Sequence, residues 1–181
     1  MINPSEIYIK HYCHPKCVPY KNICRLPKDE AFSLAHSISV NNPNDTYLAR
    51  FSGSHFDDYY ARRLEVDKLL YDTFLSIGDR PKEKHPIFFV LHHSTTLEDW
   101  VGKWSFIGKI RLSDIPSEFI SFTLDDSIVS FKKTGKLTMY TKETLFSILN
   151  EYSTIEAFLD EITTKYYCIE AQLWNDTYCA M

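Results

Sequence analysis

Residues 86–91 are all apolar or Pro, with polar sequence on both sides. A run that short and rich in Phe predicts a strand buried on both faces at the centre of a sheet. It runs into His92, His93, Ser94, Thr95 and Thr96, followed by Glu98 and Asp99, where the first turn of a helix favours negative charge. A buried strand that delivers imidazoles and hydroxyls to its carboxyl end predicts a site there. The competing reading is structural: the histidines close the strand, and Thr95 or Thr96 caps the helix.

The rest of the chain divides by period. Ile7, Tyr8 and Ile9 open a short strand, and Pro27, Asp29 and Glu30 open a helix that Asn41, Asn42 and Pro43 end. Residues 47–51 read as another short strand. A long helix from Ser54 to about Ile77 has Phe56, Tyr60, Leu64, Leu70, Phe74 and Ile77 on its apolar face. Arg62, Arg63, Glu65, Asp67, Lys68 and Asp72 hold the wet side, with i,i+4 pairing, and Gly78 stops the helix. Beyond the central strand come a short helix at residues 97–103, alternation in Trp104, Ser105 and Phe106, and a strand through Ile110 and Leu112. Residues 119–124 form a further strand. Residues 128–131 and 137–140 read as a hairpin with a basic tip at 132–136. Thr141 caps a helix to Leu149, Ser153 and Glu156 have capping-box spacing, and residues 166–174 form the last strand. No repeat or linker divides residues 1–181, which predicts a single α+β domain with a mixed β-sheet packed by several helices.

Composition narrows the chemistry. A 44% hydrophobic and 15% aromatic content argues against disorder, and the 5 Gly leave no phosphate loop and no dinucleotide fingerprint. A net charge of −4 disfavours non-specific nucleic-acid binding. No apolar run approaches the roughly 20 residues of a membrane helix, and the start lacks a signal-peptide pattern, so a cytoplasmic protein without a membrane is expected. That makes a disulfide framework unexpected for the five cysteines. His11, Cys13, His14, Cys17 and Cys24 bring metal-ligand chemistry together, and Cys13 with Cys17 fits one zinc-type pair. No second pair of that clarity follows, so free thiols and no metal are expected.

Glu170 is the most informative carboxylate, because it sits in the middle of a strongly apolar strand. Alternation places Cys168, Glu170 and Gln172 on one face and Ile169, Ala171 and Leu173 on the other. That polar face either lies on the outside of an edge strand or lines a pocket.

Three pieces together resemble the ADP-ribosyltransferase fold: His92 or His93 with Ser94 and Thr95, then Ser121 and Thr123 in ISFT, then Glu170 in YCIEAQLW. The resemblance covers roughly the second half of the chain and departs from the family in the helix and glycine after the histidine motif, which are shortened here. It implies NAD as cofactor, with catalysis by Glu170 and His92 or His93 and binding by Ser94, Thr95, Ser121, Thr123 and Gln172. Glu170 would stabilise an oxocarbenium-like state at the nicotinamide ribose. A histidine would hold the adenosine-side ribose, and Tyr12, Trp100 or Tyr140 would stack on nicotinamide. The reading is a NAD- or nucleotide-binding protein, as in bacterial or phage effectors. The alternative is a non-enzymatic protein that captures a partner protein or a small nucleotide ligand. A metal-dependent nuclease on Asp125, Asp126 and Glu170 is weaker, for want of a lysine beside Glu170.

Overall fold

The computed structural model of the chain describes residues 2–45, 48–99 and 106–180. Strands β1 (Tyr8–Cys13), β2 (Ile87–Leu91), β3 (Phe106–Arg111), β4 (Ile120–Leu124), β5 (Met139–Thr141) and β6 (Ile169–Leu173) form one six-stranded sheet in the order β3-β1-β2-β6-β4-β5. Every strand pairing is antiparallel, which corrects the expectation of a mixed sheet. A strand covered on both faces carries the same apolar run whichever way its neighbours point, so direction was not written in the pattern. The burial is as expected: β2 and β6 are the two central strands, and all of β6 is buried.

Pairing of Phe89 and Phe122 with Ala171 aligns the apolar residues of three strands on one face. Ile7, Ile9, Ile87, Phe89, Leu91, Phe122, Ile169 and Leu173 form the main core there. Helices α5 (Lys142–Leu149) and α6 (Ile155–Ile162) close it with Leu145, Leu149, Ile155, Phe158 and Leu159. Phe88, Val90, Glu170, Gln172, Ser121 and Thr123 share the opposite face by register. Helix α2 (Gly53–Ser76) lies on that face, where Phe74 stacks on Trp174 at 5.4 Å between centroids and Val66 and Leu70 complete the contact. Helix α1 (Lys28–Val40) joins the start of α2 through Phe32, Phe56 and Tyr60.

Several local expectations change. Residues 48–51 form a 3₁₀ turn, Leu48–Phe51, rather than a strand; Tyr47 lies outside the described residues. The hairpin arm at residues 128–131 is helix α4 (Ser127–Thr134). Asp126 caps it by accepting from the Ile128 and Val129 amides, Lys132 and Lys133 suit the carboxyl end of its dipole, and Gly135 ends it at φ 67°. Thr154 rather than Ser153 caps α6, accepting from the Ala157 amide. After β2, Ser94 caps a single turn, α3 (Thr95–Leu97); Trp100, Trp104 and Ser105 lie outside the described residues, so the helix expected at 97–103 is only partly seen. No helix among the described residues is long and apolar enough to cross a membrane.

Candidate functional site

The face of the sheet beneath α2 is polar in its middle, and a connected set of hydrogen bonds satisfies it. Trp174 Nε1 donates to Ser121 Oγ at 2.9 Å, and Ser121 Oγ donates to Gln172 Oε1 at 2.9 Å. That fixes the Gln172 amide, whose nitrogen donates to Thr123 Oγ1 at 3.0 Å and to Glu170 Oε1 at 2.9 Å. The indole at one end of the line therefore determines that a donor, not an acceptor, faces the Glu170 carboxyl. Four of the sequence-predicted residues, Ser121, Thr123, Glu170 and Gln172, are thus brought together. Glu170 lies on a central strand and is 6% exposed, so of the two readings open for its face, the inward one describes the fold.

From α2, Arg63 and Asp67 meet this line. Arg63 Nε donates to Asp67 Oδ1 at 2.5 Å, and its Nη2 donates to Ser127 Oγ at 3.0 Å. The guanidinium lies 4.1 Å from the Phe88 ring centroid. Asp67 also accepts from Asn22 Nδ2 at 3.1 Å and is paired with His85 Nδ1 at 2.8 Å. Arg63 is 4% exposed and Asp67 is fully buried, so the expected wet-side assignment of both is corrected. They do pair at i,i+4, but inside the protein. Their signal was present: positions 56, 60, 63, 67, 70 and 74 follow the helical stripe, with the ion pair at its middle.

Burial pushes the Glu170 carboxyl up, to about 7, and the Asp126 charge adds to this; Arg63, Ser127 and Gln172 pull the other way. The carboxyl faces two adjoining hollows of about 240 and 140 Å³ that share Tyr12, Phe88, Asp126 and Glu170 in their linings. The larger adds Arg50, Tyr59 and Lys21, and the smaller adds Lys10 and Tyr167. At the rim, the Tyr12 hydroxyl donates to Glu98 Oε1 at 2.7 Å, and Lys10 Nζ reaches the same oxygen at 3.4 Å. The Tyr12 bond, assisted by Lys10, holds the Glu98 carboxyl below its ordinary value. Asp125, at φ 66°, turns the chain at the end of β4 so that Asp126 can both cap α4 and line the cleft. The cleft thus offers aromatic walls, a cationic approach and a carboxyl that exchanges its proton near neutrality.

The histidines stand elsewhere. His92 adopts φ 58° as it leaves β2, its amide donates to Tyr8 O at 2.7 Å, and its Nε2 lies 3.6 Å from Glu156 on α6, beyond the opposite face of the sheet. His93 lies beside it, with ring centroids 5.6 Å apart. Neither lines the Glu170 hollows. Ser94 is buried and structural: its Oγ donates to Tyr167 O at 2.6 Å and caps α3, while Thr95 is exposed in that turn. The expected common cleft of histidine, Ser121 and Glu170 is therefore not formed, because the left-handed turn at His92 sends its ring towards α6. Of the aromatics expected to stack, Tyr12 lines the cleft, Tyr140 packs against the main core, and Trp100 lies outside the described residues.

The amino-terminal thiols and imidazoles have local duties. His11 Nε2 accepts from the Tyr20 amide and its Nδ1 meets Phe88 O at 2.8 Å, which fixes a neutral ring; burial holds its pKa low. Gly108 lies opposite His11 in β3 and leaves room for the Tyr20 ring over it. His14 Nε2 meets Asp45 Oδ2 at 2.9 Å, and Cys24 is buried between α1 and α2. All five cysteines are free, and no group of three or more metal-ligating side chains is gathered among the described residues. Asp125 pairs with Lys133 at 3.1 Å rather than joining Asp126 and Glu170 around a shared centre.

Comparison with known proteins yields no match to this chain among family models, curated proteins or solved structures.

Proposed function

We propose that the Glu170 cleft binds an adenine nucleotide of the NAD class, with Glu170 accepting hydrogen bonds from ribose hydroxyls. The observation that carries this reading is a buried carboxyl on a central strand that opens into a cleft walled by Tyr12, Phe88 and Tyr59 and approached by Lys10, Lys21 and Arg50. A ribose supplies donors for a carboxylate, a base supplies a face for aromatic walls, and phosphates suit the cations. Each hollow alone falls below the roughly 300 Å³ of common ligand sites, so the ligand occupies both.

The resemblance to ADP-ribosyltransferase-like domains supplies a reaction for the same carboxyl. The bond between ribose C1′ and the nicotinamide nitrogen breaks with its electron pair passing to the nitrogen, and neutral nicotinamide leaves. Water or another acceptor adds to C1′ and gives up its proton, while ionised Glu170 offsets the positive charge developing on the ribose. The sharing of the cleft by Glu170 and Asp126 favours this second step, since either carboxylate can take that proton.

NAD binding is tested by thermal unfolding with and without millimolar NAD, and cleavage by nicotinamide release. Binding to the folded state raises the midpoint. Glu170→Gln retains most affinity and loses turnover if the protein is an enzyme. No shift with NAD, AMP or adenosine would reject the reading and favour capture of a protein partner.

A further inference from the structure

A third hollow, a groove of about 730 Å³, adjoins the Glu170 cleft; Arg50, Tyr59 and Ile128 line both. Its volume falls within the usual range of ligand sites. On a chain of net charge −4, the groove is lined by Arg50, His55, Arg62 and Lys132 against Asp58 and Glu65. Glu65 is already paired with Arg62 at 2.8 Å, an exposed pair that a better anion can displace. The guanidinium of Arg50 lies 5.5 and 5.8 Å from the Phe51 and Tyr59 ring centroids, and that of Arg62 lies 5.8 Å from Phe131. Guanidiniums held against rings lose less freedom when they grip a second group, and their fork suits phosphate oxygens.

We infer that this groove is an anion subsite, holding the phosphates of a nucleoside 5′-diphosphate whose ribose lies at Glu170. The inference rests on the reading of the Glu170 cleft given above and extends it. Arg50 stands where the two spaces meet and receives the first phosphate, and Arg62 and Lys132 receive the next.

The test is calorimetry at low salt with adenosine, AMP, ADP and inorganic pyrophosphate. Wild type, Glu170→Gln and the double variant Arg62→Glu with Lys132→Glu are compared. Arg62 is 39% exposed at its side chain and Lys132 is on the surface, so the charge reversals leave the core intact; far-ultraviolet circular dichroism and the unfolding midpoint verify this. In wild type, affinity is expected to rise roughly tenfold from adenosine to ADP. In the double variant ADP should bind no more tightly than AMP, whose single phosphate meets Arg50. A gain from AMP to ADP that survives both reversals overturns the subsite. Adenosine bound with no gain from phosphate also overturns it and leaves the Glu170 reading standing. Pyrophosphate and ADP bound through Arg62 and Lys132, with adenosine unbound and Glu170→Gln without effect, supports the subsite and rejects the ribose reading. No binding by any of the four overturns both.

Discussion

Replacing Glu170 with Gln should stabilise the protein in mild alkali and flatten part of its pH–stability curve. In the unfolded chain the carboxyl ionises near its ordinary 4.5, and in the folded protein near 7. Between these values the folded protein keeps a proton that the unfolded chain has released, so stability falls as pH rises from 4.5 towards 7. Above 7 both states are ionised and the cost of the buried charge is complete. The interval corresponds to about 3 kcal/mol. Gln can still accept from Gln172 Nε2, and Arg63 keeps Asp67 as its anion. The variant should therefore match wild type near pH 4.5 and exceed it by up to about 3 kcal/mol at pH 8. Urea unfolding across this range measures the difference, with an unchanged denaturant slope as the check that both proteins unfold alike. Asp126→Asn, which keeps the α4 cap and removes a charge that raises Glu170, should shrink the pH-dependent interval. An identical stability difference between Glu170→Gln and wild type at pH 5 and pH 8 would refute the reasoning.

Phe89 is 2% exposed on the main core face, and Phe89→Ala should cost about 3–5 kcal/mol in denaturant unfolding; a loss near zero would contradict its central place. Asp67→Asn leaves Arg63 without its nearest anion in a buried setting and should cost about 3–5 kcal/mol, more than Asp72→Asn on the exposed turn of the same helix. Elemental analysis of protein purified without added metal should find clearly less than one zinc per chain; stoichiometric zinc, lost with folding on mutation of Cys13 and Cys17, would contradict this.

The strands that organise the site were readable because their residues obey burial. The apolar run at 87–91 is central, and alternation in IEAQL puts Glu170 and Gln172 on one face. Helix α2 is readable in extent but not in the placing of its charges, because a charged residue ordinarily marks an exposed position. Arg63 and Asp67 are charged residues on the apolar stripe, stabilised by each other, Ser127, Asn22 and His85. Helix α4 forms where the sequence pattern predicts a strand, because Ile128, Val129 and Phe131 carry strong strand preferences and only the cap at Asp126 and the stop at Gly135 specify the helix. The hydroxyls Ser121 and Thr123 meet Glu170 through Gln172 because β4 and β6 pair side by side, a pairing that no pattern in the sequence specifies. His92 departs because a single left-handed residue redirects its side chain, and no hydrophobic period encodes a dihedral angle of 58°.

The most direct test of the Glu170 cleft is the proton released when NAD binds. Ribose hydroxyls donating to Glu170 favour its ionised form and lower a carboxyl that titrates near 7, while the NAD pyrophosphate does not itself titrate there. Calorimetry at pH 7 in two buffers of different ionisation enthalpy should show wild type releasing a fraction of a proton per NAD bound and Glu170→Gln binding NAD without that release. Equal proton release by both proteins, or no NAD binding by wild type, would contradict the account.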